Sequence, residues 1–348
     1  MRWGNLVFHR LGVLFSTLAL AGCCPDSFYE IFTDAPMVRL PIDEAVHCSG
    51  GEWWYYTGTL NTAEGKNFGV EAVIFHAAGR RIGIPTVDAW ISHYAVLDRE
   101  ANTYTFDQCY WFDWFPRCTK TQGFDLHTPL VRMKGSDGRD HITAATGEGL
   151  YALELDLVDQ RGVILHGLNG YVPYGELYSF YYSRPIMQAI GTLVVDGETL
   201  DVEGEFWFDR QWGRDVINPY LKWDWFSLRL ADGSSVMLFS FHETEPVLHE
   251  GTYIPPTGDA ITLSGEDFTI QPIRWWTSPE TGVTYPVAWE ILIPSQSLEL
   301  SVNAVADFQE FDARRTSQNI YWEGLCTIKG TRNGEPITGS AYVELTNY

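Results

Sequence analysis

Apolar residues recur along this chain in short runs of four to nine positions, alternating with polar ones or rich in β-branched side chains, and clusters of Gly, Asp, Asn and Pro separate the runs. That pattern predicts strands. The clearest are Val70 to Phe75, Gly149 to Leu157, Val163 to Leu168, Thr199 to Phe208, Ser235 to Phe241, Ala288 to Ile293, Ser297 to Val302 and Ile337 to Leu345. No long stretch carries the period of an amphipathic helix. Short strands with turn signals between them predict an all-β sandwich or barrel, and barrels are favoured because closing a sheet removes its exposed edges.

The pattern also repeats. Glu52-Trp53-Trp54-Tyr55-Tyr56-Thr57-Gly58-Thr59-Leu60, a Glu64-Gly65 turn and a strand ending Phe75-His76 match Lys222-Trp223-Asp224-Trp225-Phe226-Ser227-Leu228-Arg229-Leu230, an Asp232-Gly233 turn and a strand ending Phe241-His242. Each copy closes alike: Gly204-Glu205-Phe206-Trp207-Phe208-Asp209 corresponds to Gly339-Ser340-Ala341-Tyr342-Val343-Glu344, behind Gly197-Glu198 and Gly334-Glu335. Self-similarity at this scale predicts two tandem antiparallel β-barrels, residues 45–214 and 215–348, with the boundary near Asn218-Pro219. A chain of 348 residues, 45% apolar and 15% aromatic, can fill two such cores.

Residues 1–22 differ from the rest. Arg2 and Arg10 precede an apolar run from Leu11 to Ala21, too short to span a bilayer and suited to an export signal. Leu20-Ala21-Gly22-Cys23 resembles the bacterial lipobox, which implies cleavage before Cys23, lipidation of its thiol and residues 23–44 as a tether. Cys24, rather than Asp, after the lipid site favours the outer membrane or cell surface. Loss of Arg2 and Arg10 takes the formal net charge from −22 to −24, so nucleic acid is excluded as a partner. Export permits disulfides. Cys109 and Cys118 bracket an aromatic loop within residues 104–121, a lid or a plug on a barrel rim, and suit a staple; Cys48 could pair with Cys326 or Cys24.

Five segments, taken together, resemble the AttH-like, lipocalin-like family that includes the carotenoid 1,2-hydratases. They are Glu52 to Gly58, Tyr181-Tyr182-Ser183-Arg184, Phe206-Trp207-Phe208-Asp209-Arg210-Gln211-Trp212-Gly213, Trp223 to Leu228 and Tyr321-Trp322-Glu323-Gly324 with the closing Tyr342 to Thr346. The resemblance runs from about Cys48 to Tyr348 and implies two lipocalin-like barrels. The family joins hydratases and cyclases to many exported proteins that sit beside transporter genes, which makes a transporter a candidate partner.

Asp209 is the sharpest candidate for chemistry. Held among Phe206, Trp207, Phe208 and Trp212, its carboxyl loses hydration and its pKa rises, as a general acid requires. The resemblance aligns it with the essential acid of the hydratases. Where those enzymes carry a Tyr two residues earlier and a His-X-Trp pair upstream, this chain has Trp207 and Phe180-Tyr181-Tyr182, so Trp207, Phe180 and Tyr182 are implied as ligand-binding neighbours. A structural alternative pairs Asp209 with Arg210 or Arg184, a role its counterpart Glu344 could share. Trp53 and Tyr55, or Trp54 and Tyr56, would line one cavity by strand alternation, with Glu52 at its mouth. No metal spacing, Gly-rich phosphate cradle or G-X-S-X-G elbow occurs, and no cofactor is expected. The leading expectation is therefore an exported, lipid-anchored protein that binds an apolar small molecule or lipid. The alternatives are a hydratase acting through Asp209 and a structural envelope protein.

Overall fold

The computed structural model describes residues 38–48, 50–81, 86–113, 122–174, 177–214, 218, 220–244 and 246–348. The first sheet holds β1 (Gly51–Asn61), β2 (Asn67–Arg81), β3 (Thr86–Asp98), β4 (Thr103–Asp113), β5 (Phe124–His127), β6 (Val131–Ser136), β7 (Arg139–Ala145), β8 (Tyr151–Asp159), β9 (Ile164–Leu165), β10 (Tyr171–Tyr174), β11 (Leu177–Val195) and β12 (Glu198–Arg214). The second holds β13 (Trp223–Leu230), β14 (Ser235–Phe241), β15 (Leu248–Ile254), β16 (Ile261–Ser264), β17 (Thr269–Thr277), β18 (Thr284–Ile293), β19 (Leu298–Ala304), β20 (Glu310–Asp312), β21 (Ile320–Arg332) and β22 (Glu335–Thr346). Among the described residues the only helical pieces are single 3₁₀ turns at Ile42–Glu44 and Pro294–Gln296.

Both sheets are antiparallel and follow one plan. The first runs β4-β3-β2-β1-β12-β11-β8-β7-β6-β5 and the second β16-β15-β14-β13-β22-β21-β19-β18-β17. In each, a four-strand meander is joined to the closing strand of the same repeat, which lies beside the opening one. The matched turns agree. β11 passes to β12 through Asp196-Gly197, and β21 to β22 through Asn333-Gly334, with both residues at positive φ in each. That is the geometry of a two-residue hairpin whose twist fits the flanking strands, and only Asn, Asp and Gly adopt it cheaply. The two sheets are curled half-barrels, consistent with tandem lipocalin-like domains; among the described residues no ladder joins β4 to β5 or β16 to β17.

Each curl encloses its own core, Trp54, Tyr56, Phe206 and Phe208 in the first and Phe226, Leu228, Trp289 and Trp322 in the second. A third apolar cluster lies between the sheets and joins Tyr55, Trp207 and Tyr181 to Trp225, Met237 and Tyr342. The central strands are thus buried on both faces, which is why their sequences are aromatic at nearly every position instead of alternating with polar residues. Residues 36–348 form one compact unit.

Several expected details differ. The tether expected up to Glu44 is already docked from Val38, which is buried in the first core. Glu44 pairs with Arg184 at 2.9 Å and receives the Trp54 indole N–H on its carbonyl at 3.1 Å. The expected loop at 104–121 is strand β4 as far as Asp113; Phe106 stacks on Phe311 of the second half at 4.4 Å. Val163 to Leu168 contributes only the two-residue β9, because Gly167 and the tight turn through Gly170 end the pairing. Cys109 and Cys326 are free thiols, so neither the Cys109–Cys118 nor the Cys48–Cys326 bridge forms. Cys326 is buried inside the second core. Cys48 is disulfide-bonded to a residue outside the described set. Cys23, Cys24 and Cys118 also lie outside it.

Candidate functional site

A cavity of ≈ 110 Å³ opens between the two sheets. Strand alternation builds it: Trp53 and Tyr55 from β1 and Asp209 and Gln211 from β12 share one face of the first sheet, and Trp223 and Trp225 from β13 face them from the second. Register ties these residues together. Tyr55 lies directly opposite Asp209, and its repeat counterpart Trp225 directly opposite Glu344. The acids of both repeats therefore reach the same cavity wall.

Among the described residues Asp209 has no cationic partner. Its Oδ1 accepts the Trp207 indole N–H at 2.6 Å and the Ser183 hydroxyl, and its Oδ2 accepts the Tyr181 hydroxyl at 2.7 Å. The Trp225 indole N–H in turn donates to the Tyr181 oxygen at 3.0 Å, so the second sheet buttresses the acid of the first. Behind Ser183 stands His166, 2.6 Å from its hydroxyl and 2.8 Å from that of Thr252. Burial pushes His166 down to about 3, so it stays neutral. Burial pushes Asp209 up to about 7 against the opposing pull of Ser183, Tyr181 and Trp207. Because Oδ1 is committed to an indole N–H and a hydroxyl, the proton of the neutral acid belongs on Oδ2, beside Tyr181.

The rest of the wall is aromatic and acidic. Burial lifts Glu344 to about 7, with Trp223 opposing and the Asp209 charge adding to the rise. Tyr55 donates to Glu323 at 2.6 Å and Tyr321 to Glu71 at 2.8 Å, both across the junction. Burial holds Glu71 at about 8 and Glu323 well above the carboxylate range. His93, between Tyr321 and Thr316 at 2.9 Å each, is lowered to about 3 by burial. Among the described residues the cavity wall carries no lysine or arginine.

Other expected site residues stand elsewhere. Phe180 and Tyr182 point to the opposite face of β11 and pack with the first core; Tyr181 between them faces the cavity. Trp207 supports Asp209 from a fully buried position. Glu52 is buried in an ion cluster with Arg210 at 2.5 Å and His76 and His47 at 2.6 and 2.8 Å, away from the cavity. Burial alone would raise its pKa, but the Arg210 guanidinium and the two imidazoles hold it well below the carboxylate range. Arg184 pairs with Glu44 and Asp159, so neither arginine reaches Asp209. Sequence reasoning missed Tyr181 and Trp225 as partners of the acid. The repeat could have supplied Trp225, since it is the counterpart of Tyr55.

A wider opening of ≈ 860 Å³ lies at the first curl, beside Phe124, Leu126 and Asp140. Asp140 receives the Tyr56 hydroxyl at 2.8 Å and is raised by burial to about 7. Charged side chains, Asp125, Lys134 and Arg139, rim that opening, whereas the junction cavity is walled by rings.

Fold and site together define a two-sheet lipocalin-like protein with an uncompensated acid in an aromatic cavity between its halves. The chain belongs to the AttH-like family, which matches residues 32–348. It is similar to an AttH-type protein of known structure from Nitrosomonas europaea, at 30% identity and a TM-score of 0.78 over 89% of this chain and 97% of that one. Kievitone hydratase from Nectria haematococca shares the fold, with a TM-score of 0.70 at 20% identity over 90% of this chain and 94% of that one. The dehydratase asqC of Emericella nidulans is 24% identical over 193 residues, 52% of this chain. The chain spans about half the length of that curated relative, 54% of it.

Proposed function

We propose that this protein is an acid catalyst of the hydratase or dehydratase type, acting on a neutral, apolar molecule with an isolated carbon–carbon double bond. The observation that carries this reading is Asp209: buried, raised to about 7, without a cationic partner among the described residues, and open to a cavity walled by aromatic rings. The structural alternative needs an arginine on Asp209, and Arg210 and Arg184 are both engaged with other carboxylates. The names of a hydratase and a dehydratase among the similar proteins support the same class.

In the hydrating direction, the proton on Asp209 Oδ2 moves to one alkene carbon and leaves a carbocation on the other. The faces of Trp53, Trp225 and Tyr55 stabilise that charge, and water then adds to it. Dehydration runs the steps backwards. A wall without lysine or arginine disfavours substrates bearing carboxylate or phosphate. The export signal and the Leu20-Ala21-Gly22-Cys23 motif support a lipid-anchored, extracytoplasmic location, where the substrate could arrive from a membrane or a transporter.

The test is product analysis after incubation in heavy-oxygen water with kievitone and a panel of neutral apolar alkenes. The wild type should add one labelled water, and Asp209→Asn should lower the rate at least about 100-fold while still binding the compound. An Asp209→Asn protein that hydrates at the wild-type rate would overturn the assignment.

A further inference from the structure

Adding water to a carbocation releases a proton, and Asp209, emptied by protonating the alkene but with both oxygens already accepting hydrogen bonds, need not be the group that takes it. The junction holds a second carboxyl. Glu344 sits in the closing strand of the second repeat where Asp209 sits in the first, and both reach the same cavity. Among the described residues its carboxyl makes one hydrogen bond, from the Trp223 indole N–H to Oε2 at 3.1 Å, which leaves Oε1 to the cavity side. Both carboxyls line the cavity, but Glu344 is partly exposed, whereas Asp209 is nearly fully buried and accepts hydrogen bonds from Tyr181, Ser183 and Trp207. Of the two residues, Glu344 is the more exposed.

We propose that Asp209 and Glu344 form one acid–base pair that holds a single proton, with Glu344 as the base that takes a proton from the attacking water. This rests on the reading of Asp209 as the proton donor. The balance closes: Asp209 gives its Oδ2 proton to carbon, water oxygen bonds to the cation, and one of that water's protons passes to Glu344. Asp209 ends ionised and Glu344 protonated, and a proton returned from Glu344 to Asp209 through cavity water restores the start. Run backwards, protonated Glu344 delivers its proton to the leaving hydroxyl, and ionised Asp209 removes a proton from carbon. The same pair therefore serves hydration and dehydration.

The other titratable groups near Glu344 do not take this role. Glu323, directly opposite it on β21, and Glu71 on β2 are fully buried, and each has one oxygen occupied by a tyrosine hydroxyl and the other closed off from any partner. Burial raises Glu71 to about 8, Glu323 well above the carboxylate range and Tyr55, Tyr181 and Tyr321 well above the phenol range, and it lowers His93 to about 3. Among the junction carboxyls, Asp209 and Glu344 are the two that line the cavity.

The test needs no substrate. Full-length protein labelled with ¹³C at Asp and Glu side-chain carboxyls is titrated by NMR, and the two resonances are assigned with Asp209→Asn and Glu344→Gln. In the wild type the pair should lose its protons in two steps, and removing either carboxyl should lower the midpoint of the other by about one pH unit. Trp223→Phe, which removes the hydrogen bond on Glu344 along with part of the cavity wall, should raise the Glu344 midpoint and serves if Glu344→Gln does not fold. If Asp209 titrates near 7 but moves by less than about 0.2 units when Glu344 is replaced, the pairing is wrong and the proton donor stands. If Asp209 titrates in the ordinary carboxylate range, the donor reading itself fails.

Discussion

At the scale of single residues, the account turns on which neighbours Asp209 has. Tyr181 is held between the Trp225 indole and the Asp209 carboxylate, at 3.0 and 2.7 Å. Tyr181→Phe should therefore leave a buried indole N–H without an acceptor and lower stability by about 1–3 kcal/mol in urea unfolding. It should also move the Asp209 pKa further up, since one of the bonds that pulls it down is gone. Unchanged stability would mean that the chain of bonds does not form. The acid was legible in sequence because it stands alone among rings. Its partners were not, because Phe180-Tyr181-Tyr182 is aromatic at each position and alternation assigns either one residue or two to the cavity. The pairing of Ser183 with Asp209 and Tyr181 with Gln211 settles it in favour of Tyr181. Glu52 misled for the opposite reason. It is a lone acid beside a tryptophan, and nothing in its own segment reveals the Arg210 guanidinium that neutralises it.

At the scale of elements, the repeat carried most of the information. The matched segments from Trp53 and Trp223 are the central strands of their sheets, and the matched closings are the strands paired beside them. Turn residues placed the hairpins, and strand lengths were underestimated where aromatic runs continue past the first turn signal: Thr199 to Phe208 is part of a strand that runs on to Arg214. The aromatic content of β4, which suggested a loop or plug, comes from pairing with β3 on one side and packing on Phe311 on the other. Two thiols expected to be bridged are free because Cys109 lies in that strand beside Ser92, 3.1 Å away, and Cys326 faces the second core. Cysteine spacing carries no information about which way a strand turns its side chains.

At the scale of the molecule, the two curls are joined by a face that is apolar at its edges and acidic at its centre. Asp209, Glu344, Glu71 and Glu323 meet there, and Asp140 and Glu250 are likewise raised by burial, to about 7 each. A carboxyl whose folded pKa lies above its unfolded value contributes stability that is complete below the unfolded value and is lost as pH rises through the folded one. Glu52 and Asp43, held down by their partners, act the other way and lose their contribution as pH falls below the ordinary carboxylate range. His93 and His166, kept neutral by burial, likewise lose their contribution as pH falls below about 6.5, so the melting temperature should fall most clearly between about pH 6.5 and pH 8, with each raised carboxyl contributing at most about 1.4 kcal/mol per pH unit. A melting temperature that is flat or rising from about pH 6.5 to pH 8 would show that these carboxyls are ionised in the folded protein. The two lipocalin-like halves are as the repeat predicts, and the duplication places the acids of both at their junction. The measurement that addresses this most directly is a crystal structure with a bound neutral apolar alkene. The reactive double bond should lie between the sheets, against Tyr181 and within reach of Asp209 Oδ2. A ligand seated inside the first curl beside Asp140, with the junction empty, would contradict the account.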